Sequence, residues 1–370
     1  MDTSLTQHQA HLILNGLPHV GPVMFRRLMD AFDDNGIALL NTNKNTLLQT
    51  HGIGPKLVSV LDNWELHFNL SREERLLEER NTRFISLECS DYPKLLREIY
   101  DRPIGLYWKG DYTIDRPCVA IVGTRKATLY GLSVAKSFAA DLASLGFCVV
   151  SGMARGIDTA AHEGALSVGS KTIAVQGSGL DIVYPPENLN LYKEIIDNGA
   201  VVSEFCFGRR IGRTTFPMRN RIVSGMCEAV IVIESNCSGG SMITARFAGE
   251  QCRDLMVIPG RIDQMTSAGC LQLLRDGATL VTSVDDVLEE LRYSRPKSSA
   301  VCLPKSTDDT VSISKAEQSV LTCFSGGEIL SPDKIAEHAK KSSAQVASIL
   351  MSLELKKQLV KRSDGRFEAN

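Results

Sequence analysis

The chain has 370 residues, with 41 lysines and arginines against 43 acids and a formal net charge of −2. That length predicts two to three domains, and 43% hydrophobic with 23% charged residues suffices for ordinary soluble cores. Near neutrality excludes wholesale electrostatic coating of nucleic acid, so any such binding needs a concentrated patch.

The first thirty residues hold no basic segment followed by an apolar run, and no stretch approaches the roughly 20 apolar residues that cross a bilayer. No membrane association is expected. The ten cysteines form no Cys-x-x-Cys, which argues against disulfides and zinc. Cys118 and Cys148 sit in or beside apolar runs, where a thiol acts as a small hydrophobe. A reducing, cytoplasmic setting is expected.

Residues 1–80 read as a helical domain broken by two glycine turns, LPHVGP (17–22) and HGIGP (51–55). Each precedes a helical pattern, in the manner of helix-hairpin-helix elements whose glycines let backbone amides approach a phosphate. His19 stands where glycine is more usual. Residues 81–117 read as a connecting region of alternating apolar and polar groups with breakers.

From 118 to 291 the pattern is strand, glycine turn, helix, repeated. CVAIV (118–122), FCVV (147–150), KTIAV (171–175), AVV (200–202), AVIVIE (229–234) and LMVIP (255–259) are apolar runs. Strands apolar on both faces belong to a parallel sheet sandwiched by helices, so the fold class is α/β, a doubly wound Rossmann-like domain. Residues 292–312 read as a Pro/Ser/Lys-rich linker. Residues 313–370 read as a winged-helix-like unit: Ser-Pro opens one helix, SSAQVASILMSLELKK forms another, and QLVKRSDGRFEAN has a strand–turn–strand form.

Ligands of such sheets bind beyond the carboxyl ends of the strands. There the chain places Gly123-Thr124-Arg125-Lys126, Ser151-Gly152 with Arg155-Gly156, Gly177 and Gly179, Ser203-Glu204, and Ser238-Gly239-Gly240. Glycine permits close backbone approach, and helix N-termini aim free N–H groups at anions. Between Glu204 and Glu228 lie five arginines and no acid: Arg209, Arg210, Arg213, Arg219 and Arg221. Guanidinium groups grip phosphate oxygens in pairs. Together these features predict an extended phosphate-binding surface.

Enzyme readings fit less well. No G-x-G-x-x-G follows the first strand, and GALSVGSKT (164–172) departs from a Walker A motif and leads into a strand. His162 is expected to be structural and Asp158 to cap its own helix. Glu204 and Glu234 both end strands at the ligand edge. They could form a pair for glycosidic cleavage or hold loop amides and arginines in place, and the second reading is preferred.

VAIVGTRKATLYG (119–131), VVSGMARGIDTAAHEGAL (149–166), TIAVQGSGLDIVYPPEN (172–188), FPMRNRIVSGM (216–226) and SGGSMITARFAGE (238–250) together resemble the DNA-processing protein A (DprA/Smf) family. The resemblance spans about 110–291, and both flanking regions look like that family's flanking domains. It implies a bacterial cytoplasmic protein of natural transformation that binds and protects single-stranded DNA and helps load the RecA recombinase. It also implies a homodimer with no cofactor and no enzymatic activity. The family's motif positions carry over to Gly123, Thr124, Arg125, Lys126, Ser151, Gly152, Arg155, Gly156, Asp158, His162, Gly177, Gly179, Asp181, Phe216, Pro217, Arg219, Asn220 and Arg221, and the glycines, Thr124, Ser151, Asn220 and the cations among them are the expected DNA contacts. Thr124 replaces the common serine, and Gln176 a more usual aliphatic residue. Lys171 lies near a basic position of the family, with a loose local match.

With few aromatic residues in these loops, backbone tracking with little base stacking is expected; Phe216 and Tyr130 are the two stacking candidates, and a core position is preferred for each. Two alternatives remain. Ser238-Gly239-Gly240 and Glu250 resemble nucleotide phosphoribohydrolases of the lysine-decarboxylase-like group, without their Pro-Gly-Gly-x-Gly-Thr turn. The tail, with nine basic and eight acidic residues from 309 on, suits an adaptor acting through protein contacts as well as a DNA module.

Overall fold

The computed structural model describes residues 5–50, 52–212, 214–294, 314–324, 330–356, 358–362 and 365–369. They divide into two compact units, 1–295 and 296–370. Most of the 292–312 segment lies outside the described residues, as does Arg213.

The first unit is built on a nine-stranded sheet, in chain order β1 (Thr82–Ser86), β2 (Gly105–Lys109), β3 (Cys118–Val122), β4 (Cys148–Ser151), β5 (Thr172–Val175), β6 (Ala200–Ser203), β7 (Ala229–Val232), β8 (Asp254–Val257) and β9 (Thr279–Leu280). The spatial order is β1-β2-β6-β5-β4-β3-β7-β8-β9. All six apolar runs of the sequence are strands, β3 to β8. Those from β3 to β7 are buried along their whole length. Neighbours from β6 through β9 pair in parallel, whereas β2 pairs antiparallel with β1 and β6. The chain runs outward from β3 to β6 and then returns to lay β7 on the other side of β3. The switch point therefore lies between β3 and β7.

Alternate residues of the strands enter opposite cores. Val119 and Ile121 pack with helices Leu129–Ser144 and Ile157–Ser167 on one face. Ala120 and Val122 pack with helices Thr215–Gly225, Gly240–Glu250 and Met265–Arg275 on the other. The connecting region adds β1 and β2 to the sheet edge, because Phe84, Tyr107 and Trp108 are buried there.

The N-terminal helices share one apolar cluster with the sheet, from Ala10 through Leu61 to Tyr107 and Val201. Glu73 of helix Leu70–Glu79 accepts from the Tyr107 hydroxyl at 2.8 Å and from the Phe207 amide at 3.1 Å. It thereby anchors the start of the arginine-bearing loop. Both glycine turns lead into a proline at the first helical turn, Pro22 and Pro55. His19 has φ +67°, a left-handed backbone that glycine adopts freely, which explains why glycine is the usual occupant.

The second unit contains helices Lys315–Leu321, Pro332–Ala339 and Ser343–Leu355, then a two-stranded antiparallel hairpin, Leu359–Lys361 with Phe367–Ala369. Val320, Ile335, Val346, Leu350 and Phe367 form its own core. Glu317 is its polar tie. It takes part in the N-terminal capping box with Ser314 and bonds Lys356 Nζ at 2.8 Å.

Candidate nucleic-acid interface

A cleft of about 320 Å³ opens at the switch point. Gly123, Thr124 and Arg125 after β3, Gly152 after β4, Arg219 and Asn220 on helix Thr215–Gly225, and Ser238, Gly239 and Gly240 after β7 line it together. Nine of the positions singled out in the sequence thus converge, because parallel strands deliver their following turns to one edge.

Helix Gly240–Glu250 presents its N-terminus here, with Gly239 at the cap and no side chain capping it. Its dipole and open amides favour an anion in the cleft. Arg125 is exposed and lies over the Phe216 ring, 4.4 Å from the centroid. The Asn220 side-chain amide donates to the Gly240 carbonyl at 3.2 Å, tying two walls of the cleft together.

Arg219 forms the cleft floor. It is 5% exposed and donates to the Val175 carbonyl at 2.9 Å, while its Nε has no hydrogen-bond partner among the described residues. Burial lowers its pKa, opposed by Asp158. Asp158 lines the same cleft, and burial pushes its carboxyl up against the pull of Arg219. Asp158 does not cap its helix: Gly156 holds the cap position, and Asp158 instead accepts from the Ala154 amide at 3.3 Å.

Several expected contacts lie elsewhere. Arg221 is corrected outright. It is 3% exposed, bonded to Glu204 at 2.5 Å and to Asp101 at 3.2 Å, so its charge is spent inside the protein. Lys171 precedes β5 and therefore sits at the amino edge of the parallel sheet, opposite the cleft. The Ser151 hydroxyl is buried and donates to the Ile121 carbonyl at 2.6 Å. Gly177 and Gly179 are buried; the Gly179 amide donates to the Arg209 carbonyl at 2.9 Å, and Gly177 abuts Thr215. Both glycines serve loop packing. Gly156, at φ +79°, packs against the Thr124 carbonyl and begins a helix.

Lys126, Arg155, Arg209 and Arg210 are exposed. Arg155 is ion-paired with Glu187. The arginine-rich segment therefore divides, with Arg209 and Arg210 in solvent and Arg219 and Arg221 buried.

Both strand-end glutamates act as clamps, as preferred. Glu204 holds Arg221, and Glu234 accepts from the Thr128 amide at 2.9 Å and its hydroxyl at 2.6 Å. His162 is buried against the Thr172 hydroxyl at 2.8 Å, and burial lowers its pKa to about 3. Among the described residues no group of His, Cys, Asp and Glu could hold a metal. Nor is any helix among them long and apolar enough to cross a membrane.

Neither stacking candidate is a core residue. Tyr130 is 52% exposed, and Phe216 is half-buried beneath Arg125. Tyr184 escaped notice: it meets Phe216 edge-on at 5.9 Å between ring centroids. Its available signal was its place in the loop after β5, in the string YPPEN.

Residues 83–292 match the family described as DNA recombination-mediator protein A. The chain belongs to that family. It is 44% identical over 203 residues to the DNA processing protein DprA of Streptococcus pneumoniae, covering 55% of this chain and 72% of that one. It is 34% identical over 287 residues to the protein Smf of Escherichia coli, covering 75% of each. Among solved structures it is similar to DprA of S. pneumoniae, with a TM-score of 0.67 and 35% identity over 78% of this chain and 99% of that one. It is also similar to DNA processing protein A of Helicobacter pylori, with a TM-score of 0.52 and 33% identity over 57% and 98%. That structure is described as giving insights into a single-stranded DNA binding mode.

Proposed function

We propose that this protein binds single-stranded DNA with its switch-point cleft, as a non-catalytic factor of natural transformation. The observation that carries this reading is the convergence in one cleft of three anion-seeking features. These are the exposed Arg125, the uncapped helix end at Gly239-Gly240, and the charge of Arg219 in the cleft floor. A phosphate would take the helix amides and the Arg125 guanidinium, with Arg219 supplying charge from below. Family membership and the H. pylori relative support the choice of single-stranded DNA over other polyanions.

The flanking parts take the roles that the family resemblance implies. The glycine turns of the N-terminal helices serve as helix-hairpin-helix elements, and residues 313–370 as a winged helix contacting DNA or protein. In the cytoplasm a homodimer would protect incoming strands and help load RecA upon them.

The test is binding of labelled oligonucleotides of varied sequence to wild type and Arg125→Ala. Loss of about tenfold or more on every sequence is expected, since a charge on phosphate carries no base information. Unchanged binding would remove the cleft from the interface.

A further inference from the structure

Resting on the reading of the cleft as a single-stranded DNA site, we infer that it continues along the rim to a second, base-stacking station at Tyr184, guarded by an Arg155–Glu187 latch. Four side chains follow one another there. Arg125 covers Phe216 at 4.4 Å, Phe216 meets Tyr184 at 5.9 Å, and Arg155 lies over Tyr184 at 6.0 Å. The order is cation, ring, ring, cation. Such alternation suits unpaired nucleic acid, whose bases seek aromatic faces and whose phosphates seek cations.

The second station is built into the fold. The Asn188 side-chain amide donates to the Met153 carbonyl at 3.1 Å and the Thr159 hydroxyl at 2.9 Å. These bonds tie the loop carrying Tyr184 and Glu187 to the loop carrying Arg155. Arg155 and Glu187 are both exposed, and Glu187 holds the guanidinium through Nε. An arriving phosphate competes with Glu187 for Arg155. Once Arg155 turns to the phosphate, a face of Tyr184 is uncovered for the base. Tyr184 then receives a base, while Arg155 and Arg125, the latter still over Phe216, hold the backbone on either side of it.

The experiment compares oligo(dT) with an abasic oligonucleotide of equal length, at several salt concentrations. Tyr184→Leu, which retains apolar bulk, is expected to weaken oligo(dT) about tenfold, with the salt slope unchanged and abasic binding unaffected. Glu187→Gln is expected to tighten both ligands severalfold with the slope little changed, because Arg155 meets phosphate in both proteins but no longer has to leave a carboxylate. Melting curves confirm that each variant is folded; if Tyr184→Leu is not, Tyr184→Phe should retain oligo(dT) binding and Glu187→Gln decides. The inference is overturned if Tyr184→Leu binds oligo(dT) like wild type, or if Glu187→Gln leaves the affinity for both ligands unchanged. In that event a loss in Arg125→Ala leaves the cleft reading standing, whereas unchanged binding in Arg125→Ala removes both.

Discussion

The Arg219 guanidinium occupies the space that a Cβ on Gly152 would need. The turn after β4 can pass over the cleft floor only because residue 152 has no side chain. Arg219 stays on the Val175 carbonyl because nothing above displaces it.

Gly152→Ala should therefore act through Arg219. The added methyl pushes the guanidinium off Val175, at a cost of about 1–3 kcal/mol by analogy with other overpacked sites. Oligonucleotide affinity should fall along with the unfolding midpoint. If Arg219→Lys is combined with Gly152→Ala, the second change should cost less than it does alone, which a double-mutant cycle would measure.

Salt dependence counts the usable charges. With Arg221 enclosed, the candidates are Arg125, Lys126, Arg155 and Arg219. For single strands, four contacts give a slope of log affinity on log salt of roughly −2 to −3. Five contacts including Arg221 would have given a steeper value. A titration between low and physiological salt distinguishes these, and a slope near zero would rule out phosphate contacts.

Lys171 and Arg221 should separate DNA binding from folding. Lys171→Ala, at the far edge of the sheet, should leave oligonucleotide affinity within about twofold, because charges beyond a Debye length are screened. Glu204→Leu alone strands the buried Arg221 opposite the partly exposed Asp101 and should destabilise by about 3–5 kcal/mol. Replacing Arg221 by Met together with Glu204→Leu should recover much of that loss. Denaturant titration measures both.

His162 predicts an acid-side loss of stability. Burial lowers its pKa from 6.5 to about 3, so the folded protein keeps it neutral where the unfolded chain binds a proton. The contribution is fully present above about pH 6.5 and declines as pH falls towards 3, by at most about 1.4 kcal/mol per unit. His162→Gln should flatten that part of the stability–pH curve. An unchanged curve between pH 6.5 and 4.5 would show that the imidazole is not held neutral.

The parallel core was legible because strands buried on both faces leave runs such as CVAIV and AVIVIE, which few other folds require. β1, β2 and β9 were not legible. β1 and β2 lie in a segment whose apolar and polar groups are interrupted by breakers, and β9 is two residues long. The turns of the cleft could be named from sequence, since each follows a strand and parallel pairing sends them all to one edge.

What the sequence by itself determined was this framework, the family, and the concentration of arginine before and within helix Thr215–Gly225. Which arginines are available for a ligand was decided only by tertiary structure. Arg219 and Arg221 are two residues apart on one helix, yet one floors the cleft and the other is enclosed by Glu204 and Asp101. The helical repeat turns neighbouring positions towards different surroundings, and the acids that neutralise a charge come from distant parts of the chain. The same holds for Tyr184, whose place beside Phe216 and Arg155 follows from loops brought together by folding.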